Sequence, residues 1–195
     1  MIRPITLNDD LTRIAELVYA TDGFLFPYIF GRGEAATELL KNLIKRDQNS
    51  FSWRYITGYF DEENVCQGIY IAYHQGNKSN DKDFSKVFKG LNGLWLALKL
   101  LPVNTLLNPP IQKTLYLQNL SVHESARSKG IGRALLSDFY ETAIREGFDT
   151  VSLDVALDNE GAMRLYLKEG FKLIKKRKVL GLFPMMYYCE KKVQY

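Results

Sequence analysis

Leu-Ser-Val-His-Glu-Ser-Ala-Arg-Ser-Lys-Gly-Ile-Gly, residues 120–132, is the stretch on which the reading of this chain turns. An apolar alternating run ends at Val122, and a short polar loop follows. Arg127, Lys129, Gly130 and Gly132 then stand just before a helical pattern, Arg-Ala-Leu-Leu-Ser-Asp-Phe-Tyr. Strand, basic glycine-rich turn and helix, in that order, aim several backbone N–H groups and a helix N-terminus at one point. The first N–H groups of a helix lack partners within it and carry partial positive charge, so an anion fits there. Glycine lets a phosphate approach the backbone closely. The stretch therefore reads as a phosphate cradle.

Spacing narrows whose phosphate it is. A P-loop needs Lys-Ser/Thr after its last glycine, and Arg133-Ala134 stands there instead. A dinucleotide fingerprint needs a third glycine, and Leu135 occupies that place. What remains is Arg127-x-x-Gly130-x-Gly132 at a strand-to-helix junction.

Downstream, Ile131, Leu135, Leu136, Phe139 and Ala143 recur at helical spacing, and Gly147 is a natural stop, so 133–146 is a helix. Thr150 to Ala156 reads as a strand. Asp158 or Asn159 caps a short helix over 160–169, ended by Gly170. Phe171 to Lys176 and Met185 to Lys191 close the chain as strands. Upstream, Leu115 to Val122 is the strand entering the turn.

The N-terminal part begins with a short strand, Ile2 to Leu7. A helix follows, capped by Asn8 or Asp9 and running to about Tyr19. Thr21 to Gly33 breaks the period and carries Phe24, Phe26, Tyr28 and Phe30. It reads either as a loop whose rings pack inward or as an apolar substrate wall. Ala36, Leu39, Leu40, Leu43 and Ile44 mark a second helix. Tyr55–Phe60 and Val65–Tyr73 flank a polar Asp-Glu-Glu-Asn, the pattern of an antiparallel hairpin. Gly68 there is either a bulge or a plain strand glycine. Gln75 to Lys89 is a loop by composition, and Leu91 to Leu101 carries an amphipathic helical pattern. We read 75–113 as an insertion between strands, its helix docked on the core; a lid and a homodimer surface are the alternatives.

Composition sets bounds. With 195 residues, 46% apolar and 25% charged, one globular domain over 1–195 is expected. A net charge of +4 suits an anionic ligand without implying nucleic acid. Two cysteines and two histidines, without metal-ligand spacing, argue for a reducing compartment and against a zinc site. The start Met-Ile-Arg-Pro-Ile-Thr lacks an apolar signal core, and no apolar run is long enough to span a bilayer. A cytoplasmic protein is expected.

Arg127-x-x-Gly130-x-Gly132 resembles the acetyl-coenzyme A signature of the GNAT family of N-acetyltransferases. Asn159-x-x-Ala162-x-x-Leu165-Tyr166-x-x-x-Gly170-Phe171 resembles the same family's second signature, in the same order. The resemblance is clear over 114–176 and looser over 1–73; the 75–113 insertion is not part of the family core. It implies an α/β fold: a GNAT-like mixed, mostly antiparallel central sheet of about seven strands with helices on both faces. It also implies acetyl-coenzyme A as acetyl donor, a primary amine as acceptor, and direct attack in a ternary complex.

Residue by residue, the resemblance places the cofactor as follows. Its pyrophosphate meets the N–H groups of Ser128, Lys129, Gly130, Ile131, Gly132 and Arg133; Arg127 and Lys129 add charge-assisted contacts there or are solvated loop charges. Pantetheine pairs with the main chain of Leu120 and Val122 where the strand splays from its neighbour. The Asn159 side chain lies near the cofactor, or only caps its helix. Tyr166 stands where the family has its general acid; a phenol stays protonated at neutral pH and can donate to a departing thiolate, and a buried core tyrosine is the alternative. The base is open. The strand 115–122 carries Tyr116, Gln118 and Asn119 but no carboxylate. Glu124 and Asp154 are the candidate carboxylates, each with an ordinary solvated position as the alternative; His123 and an ordered water chain also remain. Two other classes stand beside an enzyme. A coenzyme A-binding sensor or interaction module of this fold would not turn over. A nucleic-acid binder would use Lys175-Lys176-Arg177-Lys178, a run that reads first as charges facing water.

Overall fold

A computed structural model describes residues 1–77, 82–88, 94, 113–179 and 183–193. Its strands are β1 (Ile2–Pro4), β2 (Ile56–Phe60), β3 (Cys66–Tyr73), β4 (Leu115–Val122), β5 (Thr150–Ala156), β6 (Lys172–Val179) and β7 (Phe183–Lys192). They form one seven-stranded sheet in the order β1-β2-β3-β4-β5-β7-β6. Every neighbouring pair is antiparallel except β4–β5. The helices are α1 (Leu11–Tyr19), α2 (Leu25–Phe30), α3 (Glu34–Ile44), α4 (Lys82–Val87), α5 (Ile131–Arg145) and α6 (Glu160–Lys168).

Alternation along the strands divides the core into two layers. Ile69 and Ile71 of β3 pack with Ile14, Leu40 and Leu43 from α1 and α3. Tyr70, Leu117, Val151 and Leu153 pack on the opposite face with Leu135, Leu136 and Phe139 of α5. Each helix is held by its apolar stripe, and the ends are set locally. Asp10, not Asn8 or Asp9, caps α1 by accepting from the N–H groups of Thr12 and Arg13. Asp9 is occupied by Arg3, whose two terminal nitrogens donate to it at 2.9 and 2.6 Å. That guanidinium holds the Asp9 carboxyl down at about 2. Gly147, at φ 81°, ends α5 with the paired bonds Gly147 N–H to Ile144 C=O and Phe148 N–H to Ala143 C=O.

The aromatic segment after α1 is not a loop throughout. Residues 25–30 coil into α2, which buries Phe26 and Phe30 against Phe51 and leaves Phe24 60% exposed. Part of the stretch read as loop from Gln75 to Lys89 is likewise helical. In α4 the buried Asp83 accepts from Gln48 N–H and Lys86 Nζ, while the next residue, Phe84, stacks with Phe88 over the core. The amphipathic helix expected over 91–101, with most of the 75–113 insertion, lies outside the described residues.

The bulge between β2 and β3 falls at Gln67, beside Gly68 rather than at it. Gly68 has a different task. A Cβ there would stand 2.9 Å from the Ser121 carbonyl oxygen, 3.1 Å from Leu135 Cδ1 and 3.3 Å from Ile131 Cγ2. Its hydrogen is what lets the start of α5 seat against β3. Gly68→Val is expected to cost about 1–3 kcal/mol through overpacking, read as a lower urea midpoint with an unchanged slope.

Candidate functional site

The site begins with an incomplete pairing. β4 and β5 run parallel only over Leu115–Val151, Tyr116–Ser152 and Leu117–Leu153. Beyond that, β4 continues to Val122 and β5 to Ala156 without pairing each other. The cause lies in β4. Ala72 of β3 faces Leu117 and Ile71 faces Asn119, so Gln118 is an extra, bulged residue. A bulge bends and twists its strand, and here it turns β4 away from β5.

The same register fixes which backbone groups face the opening. The His123 N–H donates to the Gln67 carbonyl at 2.8 Å. In an antiparallel ladder, alternate residues bond to one neighbour. Ser121 therefore turns its backbone groups toward β3, while Leu120 and Val122 turn theirs toward the gap. These two are the residues expected to carry main-chain contacts. The Val122 carbonyl accepts from Arg127 Nε at 3.3 Å, which ties the basic turn to the mouth of the cleft.

The turn itself is shaped for an anion. Ser128 and Gly130 take left-handed φ values of 62° and 80°, and Gly130 provides no side-chain cap to α5. Ser128 takes this conformation despite its Cβ, whereas glycine adopts it freely. The first N–H groups of α5 at Ile131, Gly132 and Arg133 thus emerge uncapped from an exposed turn that also carries Arg127, Ser128 and Lys129. A Cβ on Gly132 would lie 3.7 Å from Val122 Cγ2, so the helix tip abuts the open end of the cleft. Gly130→Glu would put bulk and negative charge into this cradle in a strained conformation. We expect it to abolish coenzyme A binding by isothermal titration; an unchanged Kd would remove the cradle assignment.

Tyr166 is buried on the α5–α6 face, edge-on to Phe171 with ring centroids 5.6 Å apart. Burial raises its phenol above the usual range, which keeps the proton on oxygen at neutral pH. Asn159 caps α6, its Oδ1 accepting from the Ala162 N–H at 3.0 Å.

Asp154 is the principal correction to the sequence reading. It is not an outward-facing acid. It follows Leu153, the last paired residue of β5, and so stands at the closed end of the cleft, on the face opposite Val151, Leu153 and Val155. Its carboxylate pairs with the Arg177 guanidinium, and both side chains are buried. The Tyr116 hydroxyl donates to Asp154 Oδ2 at 3.0 Å. Among the described residues, the buried Oδ1 has no hydrogen-bond partner. Burial raises the Asp154 pKa, and Arg177 and the Tyr116 hydroxyl oppose that rise. Tyr116 itself is raised well above its ordinary value by burial and by the neighbouring carboxylate. Glu124 sits exposed on the single turn Glu124–Ala126, capped by His123, whose Nδ1 lies 2.7 Å from Ser125 Oγ.

Two members of this cluster were missed from sequence. Tyr116 stood among the residues of its strand without a role, and Arg177 was counted among solvated charges. Lys175, Lys176 and Lys178 are exposed as expected, but Arg177 points inward. Parity would have found Tyr116: it faces opposite Leu115 and Leu117, as Asp154 does to its own neighbours, once β4 and β5 are adjacent. Arg177 carried no such signal, because the register slips between β6 and β7 at Leu173–Lys175 and again at Arg177–Lys178.

Residues 97–171 match the family model described as Acetyltransferase (GNAT) family. N-alpha-acetyltransferase 50 of Danio rerio is 35% identical over 68 residues, which are 34% of this chain and 40% of that protein. The chain thus spans well under half the length of this curated relative. In fold it is similar to an N-acetyltransferase from Staphylococcus aureus Mu50, with a TM-score of 0.78 at 20% identity over 98% of this chain and all of that one. The PaiA N-acetyltransferase from Thermoplasma acidophilum, solved in complex with coenzyme A, gives a TM-score of 0.57 at 15% identity, over 98% of each chain. Both signature motifs thus lie on these elements within a segment, 97–171, that is similar to the GNAT acetyltransferase family, and nearly the whole chain shares the fold of these N-acetyltransferase structures.

Proposed function

We propose that this protein is an acyl-coenzyme A-dependent N-acetyltransferase that moves an acetyl group from acetyl-coenzyme A to a primary amine of a small molecule or peptide, by direct attack in a ternary complex. The observation that carries this is the cleft with different chemistry at its two ends. Its open end meets the uncapped start of α5, and its closed end meets Asp154 and Tyr116. From Leu117 to Val122, β4 spans roughly 17 Å, a length along which an extended pantetheine arm can lie. The residues fit the cofactor: the cradle for its phosphates, and the Leu120 and Val122 main chain for its amides. When bound, the cofactor supplies an activated thioester.

The chain's own groups then divide two proton tasks between the two faces of the sheet. On the α1–α4 face, Asp154 accepts the ammonium proton, directly or through the Tyr116 hydroxyl, so that the neutral amine attacks the thioester carbon. Backbone N–H groups of β4 at the gap polarise the carbonyl oxygen. On the α5–α6 face, Tyr166 donates its proton to sulfur as the C–S bond breaks. Asp154 is a better candidate than Glu124, because Asp154 follows the last paired residue of β5 and has a buried oxygen without a hydrogen-bond partner among the described residues, whereas Glu124 is exposed on a surface turn.

The acceptor enters past the segment between α1 and α2. Asn119 of β4 donates to Thr21 Oγ1 at 2.6 Å, which holds this segment against the cleft. Phe24 and Tyr28 stack there with centroids 6.3 Å apart, nearly parallel. They offer an apolar wall, whereas Phe26 belongs to the core. This favours an acceptor with an apolar body, including the N-terminal residue of a peptide, the substrate class in the name of the relative from Danio rerio.

The test is thiol release from acetyl-coenzyme A over a panel of amines: tetrapeptides beginning with Met, Ala or Ser, phenylethylamine and spermidine. Release with at least one amine supports the transferase. Tight coenzyme A binding with no release above background supports the non-catalytic module instead. Tyr166→Phe is expected to lower kcat by about 10²-fold with little change in KM; equal turnover would return Tyr166 to a packing role. Phe24→Ala is expected to raise KM for apolar acceptors only.

A further inference from the structure

We infer that Arg177 is a positioning residue for acetyl transfer: reaching from β6 past β7, it holds Asp154 so that Oδ2 is committed to Arg177 and Tyr116 while Oδ1 faces the acceptor amine. This rests on the transferase reading above, and extends it to a residue that touches neither substrate.

The placement is unusual for its sequence. In Lys175-Lys176-Arg177-Lys178, only the arginine is buried, at 7% exposure. β6 is not the neighbour of β5, because β7 lies between them. Arg177 pairs in register with Met186, and Asp154 with Tyr188, so the guanidinium must cross a strand and step along it. Adjacent strands are about 4.8 Å apart, so the span is roughly 10 Å between backbones. A long side chain is needed, and a planar fork fixes the carboxylate's orientation where an ammonium would act as a point charge. Register slips flank this part of β6 on both sides, and within it Arg177 is buried while Lys175, Lys176 and Lys178 are exposed.

Stability alone is a poor reason for the pair. A buried ion pair is often no more stabilising than apolar residues of the same volume. What it does is oppose the rise that burial imposes on the carboxylate's pKa. The groups around Asp154 bear this out. Tyr116 faces it from β4, and Arg177 and, at longer range, Lys175 act on it from β6. Tyr188 and Cys189 of β7 are raised chiefly by burial, and the Asp154 charge adds to that rise. Of these, Arg177 is the cation in direct contact. Oδ1 is the one Asp154 oxygen that neither Arg177 nor Tyr116 engages, and among the described residues this buried atom has no hydrogen-bond partner.

Loss of Arg177 raises the Asp154 pKa further, so the acid limb of kcat/KM must move to higher pH. For Arg177→Gln, with the amine giving the fastest thiol release in the panel, we expect kcat/KM at pH 7 to fall by about 10²-fold and to recover in part as pH rises. Coenzyme A affinity should stay within about twofold, since the cradle is untouched. Arg177→Lys should restore the limb toward its wild-type position. A folded Arg177→Gln variant with normal coenzyme A binding and an unmoved acid limb would overturn the inference. Should that variant fail to fold, the carboxyl carbon of Asp154 can be titrated by NMR in the wild-type protein, assigned with Asp154→Asn. An ionised Asp154 at pH 7 is the expected result, and a protonated one would sink the proposal. Absence of thiol release from wild type with every amine would instead count against the transferase reading, while the NMR titration still judges the Arg177–Asp154 pair.

Discussion

Everything at the candidate site depends on one interrupted interaction: the β4–β5 pairing stops after Leu117–Leu153. Neighbouring parallel strands ordinarily zip along their shared length, because unpaired buried backbone groups are costly. Here the bulge at Gln118 prevents it. The cost is limited in two ways. Val122's carbonyl is bonded by Arg127, and the remaining groups line a cleft instead of being sealed in a core. β3 holds the bulged strand in place through six registered residue pairs, and α5 seats on β3 because Gly68 has no side chain. The opening is thus rigidly framed on the side where an extended ligand would add a strand.

The sheet also keeps two environments apart. One face carries α5 and α6, the uncapped helix start and Tyr166. The other carries α1 to α4 and the Asp154–Arg177–Tyr116 cluster. In the proposed mechanism, an acid that must stay protonated and a carboxylate that must accept a proton would disturb each other at contact distance. Placing them on opposite faces of a cleft lets burial raise Tyr166 freely, while a guanidinium restrains the same tendency in Asp154. In the proposed mechanism, proton donor and proton acceptor would then serve one reaction without titrating together.

Much of this was legible in the chain. The 3.6-residue periodicity gave α1, α3 and α5, the alternating runs gave the strands, and β5 was delimited without error at Thr150–Ala156. The two motifs landed on the elements expected of them, and Leu120 and Val122 were already the residues whose main chain should face the gap. What escaped notice had a common cause. α2 and α4 are six residues each, too short for periodicity to emerge, and they exist because Phe26, Phe30, Phe84 and Phe88 pack onto a core made elsewhere. Asp10 displaced Asn8 and Asp9 as cap because Arg3 claims Asp9 from a neighbouring strand.

The sequence by itself determined the cradle and the sheet, since both rest on local physics: glycine's conformational freedom, side-chain periodicity and the capping of helix ends. Tertiary structure alone decided the fate of the charges. Asp154 and Arg177 are 23 residues apart and on non-adjacent strands. In the sequence each looks like a polar residue bound for water. Strand order and register bring them together where both side chains are buried, and burial then makes each the other's necessary partner. Local sequence carries no record of such a pairing, because its energy arises only when both groups have left the solvent.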